Sequence, residues 1–108
     1  MKRRPAAEEQ KNDAPLRALS QALALLARPE AVRAFLEDLC TPAELEAMAD
    51  RWRVVPLLIK GVPYREIHEL TQVSVTTIGR VARTLERGTG GYAAAAQSQQ
   101  AAPSSVSH

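Results

Sequence analysis

Cysteine is almost absent from this sequence of 108 residues, because Cys40 is the only one. A lone cysteine excludes an intramolecular disulfide framework and a thiolate metal cluster. Aromatic residues are scarce too, with one Phe, one Trp and two Tyr, so the core must be mainly aliphatic, which suits helices. No apolar run approaches the roughly 18 residues of a transmembrane helix, and the segment MKRRPAAEEQ lacks the apolar stretch of a secretory signal. We therefore expect a cytoplasmic protein that makes no membrane contact.

Catalytic side chains are not found in useful combinations either. Of the two histidines, His108 is terminal, and the sequence has no spacing typical of a nucleophile with its base or of metal ligands. We predict that the protein is not an enzyme and that it uses no metal and no other cofactor. The formal net charge is only +2, which indicates modest electrostatic attraction to nucleic acid.

The pattern of apolar residues predicts helices from Pro15 onward. Residues 1–14 mix both charges without periodicity and are predicted to be a disordered arm. Leucines then recur at helical spacing, which predicts a first helix from Pro15 to about Ala27. A second helix is predicted from about Pro29 to Leu39.

A third, longer helix is predicted to end near Ile59. Thr41 is a strong N-cap residue, Pro42 suits the first helical position, and Glu44 completes a capping box. Gly61 suits the C-terminal cap of this helix.

Pro56 is the anomaly in the third helix. An interior proline removes one backbone hydrogen bond and clashes with the preceding turn, so we expect a kink there or an early end near Val55. The predicted apolar face of this helix consists of Leu45, Met48, Trp52, Val55, Leu58 and Ile59.

Two short helices are predicted next, at roughly Pro63 to Leu70 and Ser74 to Arg87, with Ser74 as the N-cap of the second. After Arg87, the stretch GTGGYAAAAQSQQAAPSSVSH has no Lys, Arg, Asp or Glu, and residues 89–108 are predicted to be a disordered, low-complexity tail. The apolar residues that can pack the two short helices together are Ile67, Leu70, Val73, Ile78, Val81 and Leu85.

The two short helices have the pattern of a helix-turn-helix, in which the second helix enters the major groove of DNA. Hydroxyl groups can bond bases or phosphates, Val75 can contact a thymine methyl group, and arginine can pair with guanine. The candidate DNA-binding residues are Tyr64, Arg65, His68, Ser74, Val75, Thr76, Thr77, Gly79, Arg80 and Arg83. Two residues depart from the usual pattern, because Gln72 stands where a turn glycine is common and His68 where a small residue is usual. His68 is either a phosphate contact or a surface residue without a role.

Three longer motifs extend the pattern: LCTPAELEAMADRWRV, LLIKGVPYREI and SVTTIGRVARTLERGTGGY. Together they resemble the tryptophan-repressor-like proteins, most closely their YerC/YecD branch, over about residues 15–92. The resemblance implies an all-α, Trp-repressor-like helical homodimer with a C-terminal helix-turn-helix and disordered ends. The domain would span residues 15–88 and its reading unit about residues 63–87. The implied function is a sequence-specific transcriptional regulator, a repressor, on a near-palindromic operator in double-stranded DNA.

The resemblance also implies a pocket for a small effector. Two arginines and a threonine help to form this pocket in the tryptophan repressor, and the matching residues here are Arg51, Arg80 and Thr41. Thr77 and Thr84 match further lining positions. Val81 stands where the repressor has a glycine that leaves room for the indole ring, so we predict that tryptophan does not bind. Arg51 and Arg80 would still suit a carboxylate or phosphate of an unknown effector. The alternatives are a salt bridge or solvation for Arg51 and helix capping alone for Thr41.

A protein-interaction module is the alternative to DNA binding. In that hypothesis the helical dimer core is the working surface and the reading unit is degenerate. Gln72, His68, Pro56 and the low net charge favour it. The salt dependence of DNA binding separates the two hypotheses, because it is steep for a protein that neutralises phosphates.

Overall fold

The computed structural model describes residues 6–101, and in that range it contains α-helices joined by short turns and no strand. The all-α prediction is confirmed. None of these helices is long and apolar enough to cross a membrane. The chain separates into two compact units, Met1–Thr41 and Pro42–His108. The helices are α1 (Ala6–Leu25), α2 (Pro29–Leu39), α3 (Pro42–Ile59), α4 (Tyr64–Thr71), α5 (Val75–Arg87) and α6 (Gly91–Ala101).

Helix α1 begins well before the predicted start at Pro15. The prediction of a disordered arm was wrong for residues 6–14, while residues 1–5 lie outside the described part of the chain. The segment AAEEQKNDA lacks apolar periodicity, but Ala, Glu, Gln and Lys have high helix propensity, so a helix forms without a hydrophobic face. Pro15 lies inside α1 and leaves one backbone carbonyl without its helical donor.

The first compact unit consists of α1 and α2, and α2 has the predicted bounds. None of the side chains described in residues 13–41 is buried. Leu16, Leu19 and Leu23 form an apolar stripe on α1, yet Leu16 is 61% exposed and the other two are only half-buried. Within a single chain, residues 13–41 of this unit therefore form no hydrophobic core.

Helix α3 continues through Pro56 to Ile59, so the predicted early end near Val55 was wrong. Val54 and Val55 are fully buried immediately before the proline, and their packing holds the helix in place across the missing hydrogen bond. The amide of Lys60 donates to the carbonyl of Pro56 at 3.1 Å, so regular helical bonding resumes after the proline.

Gly61 ends α3, as predicted, with a backbone φ of +82°. The Gly61 amide donates to the Leu58 carbonyl at 3.0 Å, and the Val62 amide donates to the Leu57 carbonyl at 3.0 Å. This pair of bonds is the Schellman motif, which uses a left-handed residue to satisfy carbonyls at a helix end. The turn reverses the chain so that α4 packs back against α3.

The core of the second unit lies where α4 and α5 pack against α3. Val54 was not in the predicted apolar face of α3, yet it is fully buried beside Val55. Leu70 was predicted to pack between the short helices, but it is 60% exposed, and Thr71 is buried instead. The buried apolar side chains are Val54, Val55, Ile67, Val73, Ile78 and Val81.

Helix α6 occupies part of the segment that was predicted to be a disordered tail. That prediction was wrong for residues 91–101, while residues 102–108 lie outside the described range. Alanine and glutamine favour helix, and Tyr92 and Ala96, one helical turn apart, pack against the core of the second unit. The absence of charge had indicated disorder, but a short apolar contact is enough to dock this helix.

Candidate nucleic-acid interface

A tight turn of Gln72, Val73 and Ser74 joins α4 to α5. Ser74 is the N-cap of α5, as predicted, because its hydroxyl oxygen accepts the Thr77 amide at 3.1 Å. Gln72 has a φ of 66°, in the left-handed region that glycine usually occupies. We call the segment Tyr64–Arg87 the two-helix unit.

The buried and exposed faces of α5 are clearly separated. Ile78 and Val81 point into the core. A helix turns by about 100° per residue, and this places the candidate side chains of α5 away from those two residues. Thr77 and Gly79 are half-buried at the edges of the outer face. The exposed candidates on α5 and its cap are Ser74, Val75, Thr76, Arg80 and Arg83.

The arginines of the two-helix unit are available for an external partner. Arg65 lies exposed on the first turn of α4, close in sequence to the exposed Tyr64. Within the described residues, none of Arg65, Arg80 and Arg83 forms an ion pair. Their charges are therefore not neutralised inside the chain and can bind phosphate or base edges.

His68 contacts the turn that joins α4 to α5. Its ring is half-buried, and Nδ1 lies 2.7 Å from the carbonyl oxygen of Val73. A phosphate contact of His68 stays a prediction, whereas a surface histidine without any contact does not fit this bond to the Val73 carbonyl. Sequence reasoning missed the contact because it depends on the three-dimensional course of the turn.

A cavity of about 370 Å³ lies beside the inner edge of α5. Thr41 belongs to the first compact unit. The cavity brings together the five other predicted effector residues, Arg51, Thr77, Arg80, Val81 and Thr84. Arg51 forms no ion pair within the described residues, so the alternative of a salt bridge is not observed.

The cavity is also lined by residues that were not predicted, among them Asp50 and Tyr92. Asp50 adds a carboxylate beside the arginines, and Tyr92 brings an aromatic ring from α6. Tyr92 was missed because its segment was predicted to be disordered, although the GGY ending of the third motif marked it as part of the family pattern. Val81 is only 1% exposed, so its side chain fills space at the cavity wall.

An all-helical fold and arginines without ion-pair partners on one helix face are features of the class of helical DNA-binding regulators. The model of the Trp repressor protein family matches residues 14–100, and the chain belongs to that family. The chain is also similar to the uncharacterized protein YerC of Bacillus subtilis (strain 168), with 40% identity over 58 residues. That match covers 54% of this chain and 56% of the relative, so it spans about half of each protein. The resemblance inferred from the sequence motifs is confirmed.

Proposed function

We propose that the protein is a sequence-specific transcriptional regulator, a repressor, that acts as a homodimer on a near-palindromic DNA operator. The observation that carries this proposal is the outer face of α5, where hydroxyl groups and arginines without ion-pair partners surround a capped helix start. Membership of the Trp repressor family supports the same conclusion. In this proposal the two-helix unit is a helix-turn-helix and α5 enters the major groove.

Each exposed residue of α5 has a chemical role in that groove. Val75 is suited to a thymine methyl group, and Thr76 can bond either a base or a phosphate. Arg80 and Arg83 can each pair with O6 and N7 of a guanine, which discriminates against other bases by roughly 1–3 kcal/mol. Arg80 lies at the edge between this face and the cavity, so it can respond to what the cavity contains.

Residues of α4 are suited to orient the unit rather than to read sequence. Arg65 and Tyr64 are exposed at the start of α4 and can contact phosphates on one side of the groove. Ser74 and the free amides at the start of α5 can bind a phosphate on the other side. Contacts of this kind set the register of the protein on DNA without selecting a base.

The first compact unit supports the homodimer. Its apolar stripe lacks burial within one chain, and exposed leucines of this kind mark a surface that another protein covers. A second copy would cover it, and two-fold symmetry would then place two copies of α5 on successive major grooves. A chain with so few buried side chains also gains stability from such an assembly.

The cavity is proposed to bind a small effector that is not tryptophan. Val81 and Tyr92 occupy its walls, and Val81 stands where the tryptophan repressor has the glycine that leaves room for the indole ring. Arg51 and Arg80 favour a carboxylate or phosphate group on the effector. The carboxylate of Asp50 disfavours an effector with a larger negative charge. We expect calorimetry to detect no heat of tryptophan binding, and a measurable heat would contradict the role given to Val81.

The test is selection from a random pool of duplex DNA with the purified full chain at two salt concentrations. We expect a near-palindromic site with half-sites about one helical turn apart, and affinity that falls steeply with salt. Weak binding without sequence preference at physiological salt would contradict the proposal. It would favour the alternative, a helical dimer that serves as a protein-interaction module.

Single substitutions then separate the roles of the arginines. Arg80→Ala is expected to weaken operator binding and relax the sequence preference, whereas Arg65→Ala should weaken binding to all sequences alike. Arg53→Ala is the matched control, because Arg53 is exposed on α3 and its substitution removes the same charge outside the two-helix unit. Unchanged operator affinity for Arg80→Ala would show that another face of α5 reads the DNA.

A further inference from the structure

The turn between α4 and α5 carries a conformational cost. Gln72 adopts a φ of 66°, and a residue with a Cβ atom is disfavoured there relative to glycine. The turn nevertheless has to hold α5 at a fixed angle to α4, because a reading helix that moves cannot keep several contacts to DNA at once. Interactions elsewhere in the turn must therefore stabilise it.

Two side chains of α4 hold the backbone of Val73 at both of its polar groups. The Val73 amide donates to Oγ1 of Thr71 at 3.1 Å, and Nδ1 of His68 lies 2.7 Å from the Val73 carbonyl oxygen. Thr71 is itself fixed, because its hydroxyl donates to the Ile67 carbonyl at 2.7 Å. We call this arrangement of His68, Thr71 and Val73 the Val73 clamp.

The geometry of the clamp defines the protonation of the His68 ring. A carbonyl oxygen can only accept, so Nδ1 must carry the proton and donate it to Val73. In the neutral ring the other nitrogen, Nε2, then has no proton. The tautomer of His68 can therefore be measured by spectroscopy in the absence of DNA.

The position of Val73 links the clamp to the start of α5. Val73 is buried in the core and directly precedes Ser74, the N-cap of α5. The Ser74 carbonyl accepts the Ile78 amide at 2.9 Å, the first backbone bond of α5. Fixing the Val73 carbonyl therefore fixes the peptide from which α5 starts.

From this geometry we infer that His68 is a positioning residue for the reading helix. Its Nδ1–H bond to Val73 sets the direction in which α5 leaves the turn, and the ring makes no direct phosphate contact. The inference rests on the proposed function in one respect, that α5 reads DNA. The clamp itself is independent of that function.

Three substitutions of His68 separate the clamp from a phosphate contact. His68→Asn puts an amide N–H close to the position of Nδ1, His68→Gln puts one close to the position of Nε2, and His68→Leu removes both donors. We expect His68→Asn to keep operator affinity within about threefold, while His68→Gln and His68→Leu lose on the order of tenfold, the effect of one buried hydrogen bond. Thermal denaturation ensures that each variant is compared while folded, and the Asn and Gln pair decides the result if His68→Leu does not fold.

The opposite pattern of rescue would overturn the inference. If His68→Gln kept the affinity and His68→Asn lost it, Nε2 would be the working atom and the ring would contact an external group. Equal affinity of the folded His68→Leu variant and the unsubstituted protein would also overturn it.

Nitrogen-15 NMR of the DNA-free protein supplies an independent readout. We expect the neutral His68 ring to be protonated at Nδ1, and the amide signals of Val73 to Thr77 to move in His68→Leu but little in His68→Asn. Protonation at Nε2 would overturn the clamp. If the unsubstituted protein selects no DNA sequence, the proposed function fails, yet these spectra still decide whether the clamp exists.

Discussion

The two compact units of this protein differ in how far their apolar side chains are buried within one chain. In the second unit, α3, α4 and α5 pack against one another. Each of these helices, and the turn between α4 and α5, has at least one buried apolar side chain. In the first unit, α1 and α2 have apolar residues at helical spacing, but none of those described in residues 13–41 is buried. Apolar periodicity is present in both units, so periodicity alone does not create a core.

The difference follows from the connections between helices. Gly61 and the turn at Gln72 reverse the chain within a few residues, so that short helices return onto α3. Burial then occurs within one chain, and the position of α5 is set locally. For the first unit, we propose that a second copy of the chain covers the apolar residues.

The largest expected effect comes from removing a side chain of the second unit's core. Ile78 is fully buried, so Ile78→Ala should lower the free energy of unfolding by about 3 kcal/mol, through lost burial and a residual cavity. Urea denaturation followed by circular dichroism measures this change. Ile59→Ala is the control, because Ile59 is half exposed on α3, and it should cost much less. Equal losses for the two variants would mean that the second unit is not organised around this core.

The next largest effect is expected from the apolar stripe of the first unit. Leu16→Glu would place a charge in the proposed dimer interface and should raise the dimer dissociation constant by at least about tenfold, since burying an unpaired charge is costly. Analytical ultracentrifugation over a range of concentrations measures this constant. Gln21→Glu provides the matched control, because Gln21 is exposed on α1 away from the stripe and the same charge is added. A dimer that tolerates Leu16→Glu as well as Gln21→Glu would contradict the assignment of the stripe to the interface.

A smaller effect is expected where α5 leads into α6. A Cβ atom on Gly88 would lie 2.5 Å from the Thr84 carbonyl oxygen, which is too close, so the backbone must shift. Gly88→Ala should therefore destabilise the fold by roughly 1–2 kcal/mol and loosen α6. On Gly91 the nearest atom to a Cβ would be Oγ1 of Thr89 at 3.8 Å, an ordinary contact, so Gly91→Ala should be tolerated. Proteolysis at the segment 88–91 compares the two variants, and equal resistance would show that α6 is not coupled to the end of α5.

Much of the second unit was predictable because local chemistry determines its boundaries. Pro42, Gly61 and Ser74 mark helix ends by their own backbone or side-chain preferences, and α3 and α5 begin or end at those points. The exposed face of α5 also followed from spacing alone. These features depend on contacts within a few residues, which a sequence pattern can represent.

The features that were missed depend on contacts between distant elements. Tyr92 reaches the cavity only because α6 packs against the core, and His68 bonds the Val73 carbonyl only because the turn takes a left-handed step. Leu70 and Thr71 are neighbours on α4, and only the direction of α5 decides that Thr71 is the buried one. The composition of a segment does not contain this information.

The smallest expected effect is a stabilisation, and it tests how the turn at Gln72 controls the direction of α5. Gln72→Gly relieves the left-handed strain and should raise the free energy of unfolding by about 1 kcal/mol, less the loss of the exposed bond from the Gln72 side chain to the Glu69 carbonyl. Gln72→Ala loses the same bond and keeps the strain, so the difference between the two variants isolates the backbone term. Differential scanning calorimetry of both variants measures it.

The operator affinity of the two Gln72 variants shows whether the strained residue also affects DNA binding. The Val73 clamp holds the turn through His68 and Thr71, and neither Gln72 variant removes those bonds. We therefore expect Gln72→Gly to stabilise the fold without weakening DNA binding. If the glycine variant is more stable but binds the operator less tightly, the strained residue itself restricts the direction of α5, and the clamp alone is not sufficient. The strain at Gln72 would then set the stability of the turn, while Gln72 and His68 together would set the direction of α5.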